Sequence, residues 1–170
     1  MFANTYTTIH SLISLAAIAA GVPALLGLFG ARLPQLLTTL FIALAVATSA
    51  TGFGFPFNGL LPSYVVGVIA LVILAAAIFA RYFAHYAGAW RWIYAASITA
   101  SLYLLVFVGI AQAFAKIPVL QNAAPTQSEL PFAITQIAVL VIFIILGILA
   151  GRAFHRSEEH TSELQSQNRI

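Results

Sequence analysis

The stretch PFAITQIAVLVIFIILGILAG, residues 131–151, contains no charged side chain and little polarity beyond Thr135 and Gln136. A helix rises about 1.5 Å per residue, so a block of this length crosses the ~30 Å hydrocarbon core of a bilayer. Similar blocks precede it at about residues 7–29, 35–53, 62–84 and 90–115. The pattern predicts an all-α fold, a polytopic transmembrane bundle of five membrane-spanning helices.

The composition of the whole chain agrees with a membrane location. Of 170 residues, 62% are hydrophobic and 6% are charged, far from the usual balance of a water-soluble domain. The first block has no basic residue before it and no persuasive small-residue cleavage site after it. We therefore expect it to be retained as a helix and not removed as a signal peptide.

Basic residues predict the orientation of the bundle. Four arginines fall on one side of a five-helix bundle, whereas the other side has Lys116 and Glu129; the arginines are Arg32, Arg81, Arg91 and Arg152. Lys and Arg near helix ends resist translocation, so the arginine side is predicted to be cytoplasmic and the amino terminus to lie outside.

The last fifteen residues, RSEEHTSELQSQNRI (156–170), differ in character from the rest. RSEEHTSELQS resembles the in-frame translation of a common DNA-sequencing library adapter, so we expect residues 156–170 to be a non-native, disordered tail. Residues 1–155 are then a single transmembrane domain, and the natural chain either ends near His155 or continues past it with a different sequence. Without the tail, the seven Lys+Arg fall to five and the four acids to one, Glu129.

This composition excludes several chemistries. There is no cysteine and no aspartate, so thiolate metal sites, disulfides, cysteine nucleophiles and aspartate pairs are absent from the chain. No serine lies in a GxSxG elbow, and catalysis is not favoured. The few basic residues follow the topology of the membrane, and they give no reason to expect a nucleic acid partner.

Polar side chains inside the predicted helices lie toward the outer ends of those helices. The candidate ligand-binding residues, one from each helix, are His10, Thr51, Tyr64, Gln112 and Gln136. The cytoplasmic halves, such as residues 71–80 and 141–150, are almost wholly apolar. This one-sided distribution predicts a polar pocket in the outer leaflet for a lipophilic ligand, such as a quinone, a lipid or a haem. The alternative is that these groups only form hydrogen bonds between helices.

The histidines constrain the haem hypothesis. A haem with two histidine ligands needs both imidazoles at one depth, but His10 is at the outer end of its helix and His85 at the inner end of another. His10 would instead donate to a quinone carbonyl, form a mixed site with Tyr64, or simply be a satisfied lone histidine. The sequence requires no cofactor and predicts no metal site.

The loops and the small residues carry further predictions. Ser128 is expected to cap the fifth helix, with Glu129 near its positive end. The aromatic run of Phe53, Phe55 and Phe57 predicts either a re-entrant cap or an anchored turn. Small residues recur at four-residue spacing and predict packing seams, for the internal bundle or for a homo-oligomer; they are Ala16, Ala20 and Ala24, Ala76, Ala80, Ala84 and Gly88, and Gly147 and Gly151.

Short motifs spread over most of Met1 to Phe154 carry a family resemblance. The segments TGFGFPF, LPSYVVG, GAWRWIY and APTQSELPF resemble a family of small, uncharacterised bacterial integral membrane proteins. The resemblance implies a multi-pass protein of the bacterial inner membrane. It implies no activity, because the function of that family is unknown.

Three hypotheses follow from the sequence. The leading one is a non-enzymatic binding or accessory subunit with a lipophilic ligand in the outer leaflet. The second is a small transporter or channel component, which needs a continuous polar path across the membrane. The third is a membrane redox protein linked to a quinone or a haem.

Overall fold

The computed structural model describes the backbone of residues 2–30, 34–55 and 62–167, and the side chains of 5–30, 34–55 and 64–155. The described residues form six helices: α1 (Phe2–Gly27), α2 (Gln35–Gly52), α3 (Pro62–Tyr82), α4 (Trp90–Lys116), α5 (Pro118–Ala123) and α6 (Leu130–Gln167). Within this part of the chain, α1, α2, α3, α4 and α6 are long and apolar enough to cross a membrane. The predicted all-α bundle with five spans is confirmed.

Helices α1 to α4 form a closed ring in which α1 packs on α2, α2 on α3, α3 on α4, and α4 on α1. Helix α6 packs on the outside of this ring, chiefly against α4. Antiparallel neighbours put the starts of α1, α3 and α6 at one end, which we name the N-terminal end. The opposite end, which holds Arg81, Arg91 and Arg152, is the arginine end.

A tight turn reverses the chain between α3 and α4. His85, Tyr86 and Gly88 have left-handed backbone conformations, with φ of 46°, 59° and 52°. The Tyr86 N–H donates to the carbonyl of Ala80 at 3.0 Å, which satisfies a carbonyl at the end of α3. The turn is short, and it therefore keeps α3 and α4 as adjacent antiparallel helices.

Two segments are more helical than the sequence predicts. The short α5 lies in a stretch predicted as a loop, where Pro118 occupies the first turn, a position that suits its fixed φ. The last helix continues to Gln167, so the backbone from Arg156 to Gln167 is helical where a disordered tail is expected. Residues 156–167 include three Glu and two Gln, which favour helix, and no Gly or Pro, which would interrupt it.

Some sequence predictions fall outside the described residues. Arg32, in the loop between α1 and α2, is one of them. Phe57, in the predicted aromatic cap, is another.

The arginine-end half of the ring is closely packed, and we call it the packed half. Its core residues are buried and come from all four helices: Ala24, Leu28, Phe41, Leu74, Ala77, Tyr94, Ile98 and Leu102. Gly21 allows α1 to approach closely, since a Cβ at this position would lie 2.6 Å from Leu102 Cδ1 and 2.8 Å from Phe41 Cε2. Packing of this kind leaves no space for a larger side chain.

Helix α6 meets α4 along a seam that runs most of the length of both. A Cβ at Gly151 would lie 2.4 Å from Cζ3 of the Trp92 ring, and one at Gly147 would lie 3.3 Å from Thr99 Cγ2. Near the N-terminal end, the rings of Phe114 and Phe132 meet edge to face, with centroids 5.3 Å apart. The predicted glycine seam of α6 therefore packs within the chain.

Candidate functional site

A cavity of about 660 Å³ occupies the N-terminal-end half of the ring, which we call the hollow half. All four ring helices line it. On α1 its lining runs from Thr7 to Ile18, a depth of about 16 Å at 1.5 Å per residue. The cavity is therefore about half as deep as the hydrocarbon core of a bilayer.

Nearly half of the residues that line the cavity have small side chains. They include Ser11, Ser14, Ala45, Thr48, Ser49, Gly52, Gly67, Ala70, Ser101, Gly109 and Ala113. At Gly109 an added Cβ would meet only Ile18 Cδ1, at an ordinary contact distance of 3.7 Å. A side chain added at Gly109 would therefore have room.

His10 is the most chemically distinctive group that lines the cavity. Its Nδ1 lies 2.8 Å from the Thr51 hydroxyl on α2, and its ring meets that of Phe55 edge to face, with centroids 5.2 Å apart. The Thr51 hydroxyl is also 2.7 Å from the carbonyl of Ala47, one turn earlier in α2. These contacts hold the imidazole in one orientation.

Aromatic side chains surround the end of the cavity nearest the α2–α3 loop. The Tyr6 hydroxyl donates to the carbonyl of Thr51, and the Tyr64 hydroxyl donates to the carbonyl of Phe55 at 2.9 Å. The ring of Phe53 lies over Gly67, where an added Cβ would be 3.1 Å from Cζ. Phe53 and Phe55 line this end of the cavity, and the re-entrant cap and the anchored turn both stay predictions.

Two hydroxyl groups of the cavity lining have no partner among the residues with described side chains. Thr48 Oγ1 and Ser101 Oγ are buried without a hydrogen bond, and their residues are only 9% and 2% exposed. A buried hydroxyl without a partner is energetically costly. Both oxygens are covered by the surrounding helices and do not face the open space of the cavity.

The structure brings together four of the five predicted ligand-binding residues. His10, Tyr64 and Gln112 line the cavity, and the Thr51 hydroxyl is hydrogen-bonded to His10 Nδ1. Gln136 does not reach it, because α6 lies outside the ring. Its amide donates to the carbonyl of Phe107 at 3.1 Å within the seam between α4 and α6.

The predicted cap of the last helix has a different arrangement. The Ser128 hydroxyl contacts that of Thr126, while the Glu129 carboxylate accepts from the Thr126 hydroxyl at 2.8 Å and from the Ser128 N–H at 3.1 Å. Desolvation acts to raise the pKa of Glu129, but hydrogen bonds from Thr126 and Ser128 outweigh it and lower that pKa. The Gln127 amide donates to the carbonyl of Ala111 at 2.9 Å, and this hydrogen bond joins the turn before α6 to helix α4.

Several polar residues of both halves were not predicted from the sequence. Ser11, Ser14, Ser49 and Ser101 line the cavity, and their recurrence with His10 and Thr48 at helical spacing is the signal that identifies them. From the sequence we expect the cytoplasmic halves of the helices to be almost wholly apolar, but the packed half also buries polar groups. They are Thr38, Ser97 and Tyr94, which come from α2 and α4.

Among the described residues that line the cavity, His10 is the one histidine. Among the described residues, no group of three or more His, Cys, Asp or Glu side chains is placed to hold a metal ion. His85 lies at the arginine end, in the turn between α3 and α4. His155 lies near Trp92 at the same end, with ring centroids 6.3 Å apart.

No family model, curated protein sequence or solved structure matches this chain.

Proposed function

We propose that this multi-pass membrane protein is a non-enzymatic binding or accessory subunit that holds a lipophilic ligand in its hollow half. The observation that carries the proposal is the cavity of about 660 Å³ inside the ring. Small-molecule sites typically have volumes of ~300–1,000 Å³, with mainly apolar linings and a few convergent polar groups. His10 and Gln112 are such groups.

The proposed setting is the outer leaflet of a bacterial inner membrane. The described arginines that flank the spans, Arg81, Arg91 and Arg152, share one end, and the positive-inside rule makes that end cytoplasmic. The cavity then lies in the periplasmic half of the membrane and has about the depth of one leaflet. The bacterial assignment rests on the resemblance of the sequence motifs.

Binding is favoured over transport because the packed half closes the arginine end of the cavity. Phe41, Leu74 and Leu102 are each at most 2% exposed. Leu74 lines the cavity, and Phe41 and Leu102 pack beside Gly21, three residues beyond the last lining residue of α1. A channel or transporter would need a polar path through these side chains. Solute flux in proteoliposomes would support that alternative.

Binding is also favoured over a haem-linked redox role. Within the described residues, His10 is the one imidazole that lines the cavity, so a haem would have a single histidine ligand. A quinone needs no metal ligand, and it remains within the proposed class of lipophilic ligands.

The test is to purify the full chain in mild detergent and to identify what co-purifies by mass spectrometry and absorption spectroscopy. We expect one lipophilic molecule at a stoichiometric level, reduced in His10→Leu and Gln112→Leu. Gln136→Leu is the matched control, because it removes an amide that lies outside the cavity, and it should retain the ligand. Equal retention in all three variants, with helicity unchanged by circular dichroism, would contradict the proposal.

A further inference from the structure

The chemistry of the ligand's polar group follows from the hydrogen bonds of Thr51. The hydroxyl of Thr51 lies 2.7 Å from the carbonyl of Ala47 and 3.2 Å from the carbonyl of Thr48. A carbonyl oxygen can only accept, and a threonine hydroxyl has one hydrogen to donate. That hydrogen is therefore directed at the backbone of α2.

The third contact of the same hydroxyl fixes the tautomer of His10. His10 Nδ1 lies 2.8 Å from Thr51 Oγ1. Since the hydroxyl hydrogen is already used, Nδ1 must carry the hydrogen of this contact and donate to the threonine oxygen. A neutral imidazole has one N–H, so Nε2 presents a lone pair.

The other ring nitrogen is available to a ligand. His10 lines the cavity, and within the described part of the chain its Nε2 makes no hydrogen bond. The cavity therefore offers a hydrogen-bond acceptor on α1.

We propose that the ligand of the hollow half is a lipid with a free hydroxyl group, which donates to His10 Nε2. The proposal rests on the proposed binding function and specifies its ligand class. A hydroxyl can donate to the lone pair of Nε2, whereas a ketone, a quinone or an ether only accepts and would face that lone pair without a hydrogen between them. This reverses the prediction that His10 donates to a quinone carbonyl.

Two pairs of probes test this with the full chain in detergent at about pH 8, where an ordinary imidazole is neutral. The first pair is farnesol and farnesyl methyl ether, and the second is decylhydroquinone and decylquinone under anaerobic conditions. Calorimetry should give at least ~10-fold tighter binding for the hydroxyl member of each pair that binds, which corresponds to ~1.4 kcal/mol. The pair that binds more tightly identifies the source as an alcohol or a hydroquinone.

Variants of Thr51 separate this positioning role from general stability. Thr51→Val removes the acceptor for Nδ1, so the tautomer is no longer fixed and the preference for the hydroxyl probe should fall below ~3-fold. Thr51→Ser keeps the acceptor and should keep the preference. Nitrogen-15 NMR of the wild-type protein should show His10 protonated at Nδ1 and unprotonated at Nε2.

The outcomes distinguish the two claims. If no probe binds and no lipophilic molecule co-purifies, the proposed binding function fails. If the ether or the quinone binds as tightly as its hydroxyl partner, or if NMR places the proton on Nε2, the hydroxyl inference is overturned while the binding function stands.

Discussion

The packed half and the hollow half are made by the same four helices, yet one is filled and the other encloses a cavity. In the packed half, the inward positions carry Phe41, Leu74 and Leu102. In the hollow half, nearly half of the lining residues are glycine, alanine, serine or threonine. Within lipid, helices associate largely through packing, and an unfilled space forfeits dispersion contacts. Small side chains such as Ala70 and the absence of one at Gly109 thus help to leave room for a ligand in the hollow half.

The two halves should differ most in how much stability is lost when a glycine gains a side chain. Gly21→Val should lower the free energy of unfolding in SDS by about 3 kcal/mol, because a Cβ there would clash with Leu102 and Phe41. Gly109→Val should change it by less than about 0.5 kcal/mol, since its Cβ meets only Ile18 at 3.7 Å. Equal losses at the two positions would show that the hollow half is as tightly packed as the other.

Truncation of two leucines on α4 sharpens the same contrast. Leu102→Ala should destabilise by about 2 kcal/mol, because Leu102 is only 2% exposed and its removal leaves a void in the packed half. Leu105→Ala, next to an existing cavity, should cost less than about 1 kcal/mol. The measurement is again SDS unfolding, and a larger loss at Leu105 would reverse the assignment of the two halves.

A third region, the seam between α4 and α6, lies outside both halves. Gly151→Ala should cost about 1 kcal/mol, since the added methyl displaces the partly exposed Trp92 ring. Leu149→Ala, on the exposed face of α6, is the matched control and should be nearly neutral. Ligand retention should be unchanged in both variants; its loss in Gly151→Ala would mean that α6 helps to shape the cavity.

The smallest predicted effect concerns the turn before α6. The pKa of Glu129 is lowered in the folded protein, so the carboxylate stabilises the turn above its unfolded pKa, and this stability is lost as the pH falls through the folded pKa. Carbon-13 NMR should give Glu129 a titration midpoint below the ordinary glutamate value, with no change in the packed half. Thr126→Val removes the hydroxyl donor and should raise the midpoint; an ordinary midpoint in the wild type would contradict this arrangement.

The sequence predicts the number and type of the spans well because crossing a bilayer requires long apolar blocks. It does not predict which helices are neighbours. Gln136 has the same side chain as Gln112, yet α6 lies outside the ring and α4 inside it. Polarity alone therefore does not distinguish the two environments.

The candidate site was predictable in part for a related reason. His10, Tyr64 and Gln112 stand out because polar side chains are rare within apolar blocks. The supporting role of Thr51 and the unpartnered hydroxyls of Thr48 and Ser101 depend on distances between helices, which no periodicity gives. Small residues such as Ala70 resemble ordinary packing residues in sequence, although here they border a cavity.

Native mass spectrometry of the full chain, released from detergent micelles, tests most directly that the hollow half holds a ligand. The wild-type protein should carry one bound lipophilic molecule, and so should Val72→Phe, whose new ring faces outward from α3. Ala70→Phe, which places the same ring in the cavity from the same helix, should lose it. If Ala70→Phe keeps the adduct, or if the wild type carries none, the hollow half is not a ligand-binding site.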